Sequence, residues 1–257
     1  MGIDLNLIIS QLIEDRDIFV RGLAHPVIFA ASNQLENKNR DSSRGSPNGQ
    51  NELFQKFGAV MVTPRNFYRV METKQNALLF PGGVREVFHG KGEEYKLFWP
   101  EKVDFVRTAA KFNATIVPLS ALGAAESANI LVDAPDMVKL PFGIGERIAN
   151  FSANVTAGRF DTEKEGELFT PPFVVPKIPS RFYFMFGRPM STADLDHRNK
   201  GECEKLYTQV KTEMNRGFED VLSARESDPY KDNIRRILTE QISGKPTPTF
   251  GMEEFRS

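Results

Sequence analysis

Between residues 58 and 119 the chain alternates short apolar runs with helical periods, and this alternation limits the fold more than any other feature. Residues 58–62 (GAVMV) predict a buried strand, 66–74 (NFYRVMETK) a helix, and 77–80 (ALLF) a second strand closed by Pro81-Gly82-Gly83. A helix follows over 101–112, started by Pro100, with Val106, Ala109 and Ala110 on one face. Residues 114–119 (ATIVPL) predict a third strand. Strands spaced by helices need a sheet covered on its faces. The expected fold class is therefore α/β, with a mixed, mostly parallel sheet flanked by helices.

The rest of the chain fits around that unit. Residues 3–15 place Leu5, Ile8, Ile9, Leu12 and Ile13 on one helical face, and 18–20 predict a short strand. Residues 33–52 are polar, rich in Asn, Ser and Gly, and predict a mobile surface insertion because they have too little apolar surface to order themselves. Residues 136–154 predict a helix, 162–178 an irregular proline-rich stretch, 181–186 (RFYFMF) a strand and 203–224 a long amphipathic helix. The 257 residues suit one large domain over 1–226 and a C-terminal tail over 227–257.

Composition excludes some partners. The net charge of -1 creates no field for nucleic acid or for an anionic surface as a whole, so any contact with a peripheral lipid surface must come from local apolar patches. No run reaches the ~18 consecutive apolar residues of a spanning helix. The best, Leu5 to Ile13, is broken by Asn6, Ser10 and Gln11. The single cysteine, Cys203, cannot form an internal disulfide and reads as an ordinary surface or half-buried thiol. The first 20 residues have neither a basic leader nor an Arg- and Ser-rich stretch, so a targeting address is expected outside this chain.

The sharpest chemical feature is Leu79-Phe80-Pro81-Gly82-Gly83-Val84-Arg85-Glu86. A strand ends in two glycines, where backbone can approach a ligand closely and successive amides can cradle an anion. Arg85 adds a planar fork suited to phosphate or carboxylate. The plain alternative is a turn that only reverses the chain. Among the histidines, His89 lies six residues beyond Gly83 and can line the same cleft. His25, before Pro26, reads as structural, and His197 as a solvated loop residue. Arg65 and Arg69 follow the first strand and are either donor-phosphate ligands or solvated charges at a helix start. Tyr95, Phe98 and Trp99 line an acyl channel or belong to the core.

The block FPGGVREVFHGKGEEYKLFWPE (80–101) resembles the plant esterase/lipase/thioesterase family of phytyl ester synthase-type chloroplast acyltransferases. Arg21-Gly22-Leu23-Ala24-His25-Pro26, VPKIPSRFYFMFGRP (175–189) and Ser227-Asp228-Pro229-Tyr230 match in the same order. The resemblance implies a glycerolipid acyltransferase-like domain. Its reaction would move an acyl group from acyl-CoA, acyl carrier protein or a lipid to phytol or diacylglycerol, without metal or cofactor. It implies Gly82, Gly83, Arg85 and Arg65 as substrate-binding residues, and Asp4, Glu86 and His89 as catalytic candidates. In the wider acyltransferase group a histidine beside a carboxylate takes the proton of the acceptor hydroxyl.

In the family, that histidine stands in a block His-x-Leu-Leu-Gly followed by an apolar residue and an acid. Here the chain opens Met1-Gly2-Ile3-Asp4, which matches only the end of the block. No Gly-x-Ser-x-Gly nucleophile elbow occurs in this chain. The expectation is an N-terminally shortened acyltransferase with little activity alone. The alternatives are a catalytically silent lipid- or partner-binding homologue and an esterase or thioesterase. Shortening is also expected to leave Leu5, Ile9 and Leu12 exposed and the product poorly soluble.

Overall fold

The structure, a computed structural model, describes residues 3–24, 56–83, 86, 89–132, 136, 173–178, 180–248 and 250. The chain enters through helix α1 (Ile3–Arg16), whose Ile8 and Ile9 are buried and whose Leu5 and Leu12 are half-buried. The expected exposure of Ile9 is therefore not found, and Leu5 and Leu12 are partly covered. Asp17, at a φ of 53°, ends the helix, and strand β1 (Val20–Ala24) begins two residues later than the sequence pattern suggests. Its start is set by pairing: Val20, Arg21 and Gly22 face Asn76, Ala77 and Leu78 of β3 (Asn76–Leu78), while Leu23 and Ala24 face Val60 and Met61 of β2 (Val60–Met61). Both pairings are parallel, and the order is β2-β1-β3.

Helix α2 (Pro64–Glu72) joins β2 to β3. Thr63 caps it, accepting from the Asn66 amide at 3.1 Å, and Pro64 opens it with a ready-made φ. Phe67 and Val70, one turn apart, are its buried side. Helix α3 (Asp104–Lys111) buries Phe105, Val106, Ala109 and Ala110, the face its periodicity marked out.

Beyond α3 the sheet expectation changes. The third strand is not 114–119. Residue Ile116 makes an isolated bridge to Met190, and β4 runs over Leu119–Leu122. Pro118 has no amide to give to a ladder, so regular pairing starts after it. Strand β4 pairs antiparallel with β7 (Tyr183–Phe186), and β5 (Ala128–Val132) pairs antiparallel with β6 (Phe173–Pro176). Parallel pairing is thus confined, among the described residues, to three strands. The expected helix over 136–154 and the insertion over 33–52 lie outside the described residues, apart from Asp136. Of the stretch 162–178, the described part contains β6.

Helix α4 (Lys200–Ser227) is capped by Asn199, which accepts from the Glu202 amide at 3.3 Å. It crosses β4 and β7 at Gly217, where an added Cβ would lie 2.4 Å from Ser120 Oγ. Its other half meets α3 in the main core, where Val106, Cys203, Leu206, Tyr207 and Val210 gather with Leu23 and Phe67. Cys203 is fully buried rather than near the surface. The expected tail begins with structure: α5 (Asn233–Ser243) follows α4 and ends at Gly244 in the left-handed region, a usual helix stop.

Candidate functional site

Three parallel strands deliver their carboxyl ends to one edge of the sheet. Strand β1 ends at Ala24. Its neighbour β2 continues to Val62, whose amide donates to the Ala24 carbonyl at 2.7 Å. After β3 the chain runs on through Leu79 and Phe80 into Pro81-Gly82-Gly83. In open α/β sheets this edge is where ligands collect, because helix starts and loops converge there. Arg65, in the first turn of α2, and the glycine turn therefore share an edge. Arg65 and Arg69 are both exposed.

The glycine turn is closed by its own chain. Gly83 donates to the Phe80 carbonyl at 2.9 Å and has a φ of +60°, a conformation glycine adopts without a steric penalty. Glu86 then folds back: its amide donates to Gly83 oxygen at 3.2 Å, and its Oε2 accepts from the Gly82 amide at 3.1 Å. The Gly82 and Gly83 amides are thus both engaged inside the turn. Gly82 is buried and pinched. A Cβ there would lie 2.3 Å from Glu86 Cγ and 2.9 Å from the Phe98 carbonyl oxygen. Arg85 lies outside the described residues.

Beneath the turn lies an aromatic cluster. Trp99 meets Phe105 edge-on at 5.6 Å and Tyr207 at 5.7 Å. The Tyr207 hydroxyl donates to the Pro100 carbonyl, and burial together with the Glu86 charge pushes its pKa up to about 12. Trp99 is therefore packed against the core. The Glu86 carboxylate stands between the glycine turn and this cluster, a position sequence reading had no means to find.

His89 is half-buried, with Nδ1 3.1 Å from the Gly90 carbonyl oxygen. A carbonyl only accepts, so this contact is a bond when Nδ1 carries the hydrogen, which leaves Nε2 as the basic nitrogen. The following loop is held by tight turns: Gly90 donates to Glu93 Oε2 at 2.6 Å, and Tyr95 adopts a φ of 63°. Tyr95 packs on Phe218, and its hydroxyl donates to Glu126 Oε1 at 2.7 Å. The same oxygen accepts from Arg225 Nη1 at 2.5 Å. Burial alone would push the Glu126 carboxyl up, but Arg225 and Tyr95 together hold it below its ordinary value.

The other candidates are distributed. Asp4 lies in the first turn of α1. His25 lies outside the described residues. His197 sits in the loop before α4, its Nδ1 3.9 Å from Asp196 and its carbonyl accepting from Arg107 at 3.2 Å. Burial pushes the Cys203 thiol up, and its Sγ faces the Asp196 and His197 carbonyls. Asp228, from the Ser-Asp-Pro-Tyr motif, is buried and structural: its Oδ2 accepts from Tyr183 at 2.7 Å and lies 3.0 Å from Arg181.

A parallel three-stranded edge carrying a glycine turn and, in the first turn of α2, Arg65 defines an α/β protein with a candidate site at that edge. The comparisons give that class a family. The chain is 37% identical over 261 aligned positions to phytyl ester synthase 2, chloroplastic, of Arabidopsis thaliana, covering 98% of this chain and 35% of that protein. It is 34% identical over 243 positions to phytyl ester synthase 1, chloroplastic, of the same plant, covering 92% and 33%. Across the region it shares with them, the chain is of phytyl ester synthase type. It spans about a third of the length of these relatives. No family model matches the chain, and no solved structure matches it.

Proposed function

We propose that the chain carries part of an O-acyltransferase site that moves a fatty acyl group to an alcohol, phytol or diacylglycerol. The donor would be acyl-CoA, acyl carrier protein or a lipid. The observation that carries this reading is the glycine turn at the carboxyl edge of the parallel sheet, the edge that also carries Arg65, in a chain related throughout to phytyl ester synthases. In the proposed step a basic nitrogen, for which His89 Nε2 is the candidate in this chain, takes the proton of the acceptor hydroxyl. The acceptor oxygen attacks the acyl carbonyl, the C–S bond of a thioester breaks, and the thiolate leaves with the proton returned to it. Arg65 and Arg85 are assigned to the anionic part of the donor. Asp4, in the first turn of α1, is assigned to the support of a base on the family resemblance alone. The relatives' chloroplast setting is proposed for this chain too, with plastoglobule or thylakoid as the finer placement.

The test is a chimera in which this chain replaces the matching third of Arabidopsis phytyl ester synthase 2, supplied with labelled acyl thioester and phytol or diacylglycerol. Ester formation is expected, and His89→Ala separates two bases: a loss of about a hundredfold, the scale of a missing acid–base group, assigns the base to His89, and an unchanged rate leaves it to the histidine block expected upstream of this chain. A folded chimera that makes no ester would refute the reading. Full activity of the His89→Ala chimera would remove His89 from the assignment.

A further inference from the structure

Helix α5 buries none of its side chains. Ile234 is 76% exposed, Leu238 55% and Ile242 86%. They stand four residues apart and so line one face. Ile178, 61% exposed, adjoins this face, since its carbonyl accepts from Asn233 Nδ2 at 3.2 Å. A surface helix ordinarily turns its apolar stripe to the core. Here the stripe is left outward, while Glu240 accepts from the Thr247 amide and hydroxyl at 3.1 and 2.9 Å and Gly244 closes the helix.

The rim of the stripe is cationic. Lys177, Arg235 and Lys245 are exposed around it, against Asp232. Glu226 answers the charge of Lys231 at 2.6 Å, and the Glu240 carboxylate, which accepts from Thr247, is faced by the charge of Arg236. We propose that this face is a lipid-docking surface: α5 lies in the plane of an anionic lipid layer, its Ile234–Leu238–Ile242 stripe among the acyl chains and its cations at the headgroups. At 11 residues the helix is about 16 Å long, so it lies on a layer rather than crossing one. Charge favours this occupant over a second copy, which would set the same cationic rim against itself. Side-chain type favours it over a protein groove, since the stripe is purely aliphatic and lacks the aromatic anchors typical of protein interfaces. The proposal stands apart from the acyl-transfer reading.

Co-sedimentation of the purified chain with vesicles tests it. Binding is expected to vesicles of phosphatidylcholine and phosphatidylglycerol in equal parts, and to weaken with added salt. The double substitution Leu238→Glu and Ile242→Glu should cut partitioning at least about tenfold, because the buried apolar area sets the binding strength. Arg235→Glu should weaken it on the mixed vesicles and leave pure phosphatidylcholine unaffected. Because α5 buries nothing, these variants should melt as the parent does. The proposal is overturned by absent binding to the mixed vesicles, by equal binding of parent and stripe variant, or by a parent dimer that the stripe variant dissolves.

Discussion

Gly82 is a position in the candidate site where a single methyl group would matter. Its position is closed on one side by the Glu86 side chain and on the other by the Phe98 carbonyl. A glutamate stem can swing away, whereas a carbonyl in a turn cannot. Gly82→Ala is therefore expected to destabilise the protein by about 1–3 kcal/mol, the usual penalty for overpacking. Pairing it with Glu86→Ala should return part of that loss and not the whole, because Phe98 stays in place. The two changes are in contact and so should be non-additive. Urea unfolding of the two single variants and the double variant reads this directly. Strict additivity would mean that Glu86 does not lie over Gly82. Glu86 has a second task at this scale: its carboxylate answers the Gly82 amide. It therefore acts first as a brace for the turn, and any part in chemistry is built on that geometry.

Among the elements, those governed by local signals were legible in the sequence. Thr63-Pro64 announces α2 because a side-chain cap and a fixed φ act within one turn, and the face of α3 follows from the spacing of Val106, Ala109 and Ala110. Thr63→Ala should lower stability by about 1 kcal/mol and loosen the start of α2, where Arg65 sits; thermal melting checks it. What was not legible depended on distant partners. The start of β1 is fixed by Asn76, more than fifty residues on, and β4 is displaced by Pro118 toward β7. Helix α5 has a clear period in Ile234, Leu238 and Ile242, but prolines on both sides and an outward apolar face hide it. In the candidate site, the glycine turn could be read from Pro81-Gly82-Gly83. Its closure by Glu86 and the approach of Tyr207 could not, because they depend on how α4 packs. Asp228 shows the same limit: Ser-Asp-Pro-Tyr stands out as a motif, yet its use lies in Arg181 and Tyr183, 47 and 45 residues away. Asp228→Ala should cost about 3–5 kcal/mol, since it leaves Arg181 uncompensated in a buried place.

Across the whole molecule, Glu126 joins parts that no sheet connects. Tyr95 belongs to the loop after the glycine turn, Arg225 to the last turns of α4, and Glu126 to the link between β4 and β5; one carboxylate oxygen serves both partners. Folding lowers the Glu126 pKa from its ordinary 4.5, so the folded state favours the ionised form. Its contribution is therefore complete above about pH 4.5 and disappears as pH falls through the lower folded value. Glu126→Gln keeps the size and an acceptor oxygen but removes the charge. At neutral pH it should cost on the order of 1 kcal/mol, a modest figure because the carboxylate is about a third open to water. The gap between parent and variant should then close on acidification, since protonation does to the parent what the substitution does to the variant. Glu226 and Glu240 also titrate low, but they are common to both proteins and cancel in the difference. Melting temperatures of the pair, measured from neutral to acid pH, decide the matter. A gap that persists unchanged at low pH would mean that the Glu126 charge does not hold the Tyr95 loop to α4.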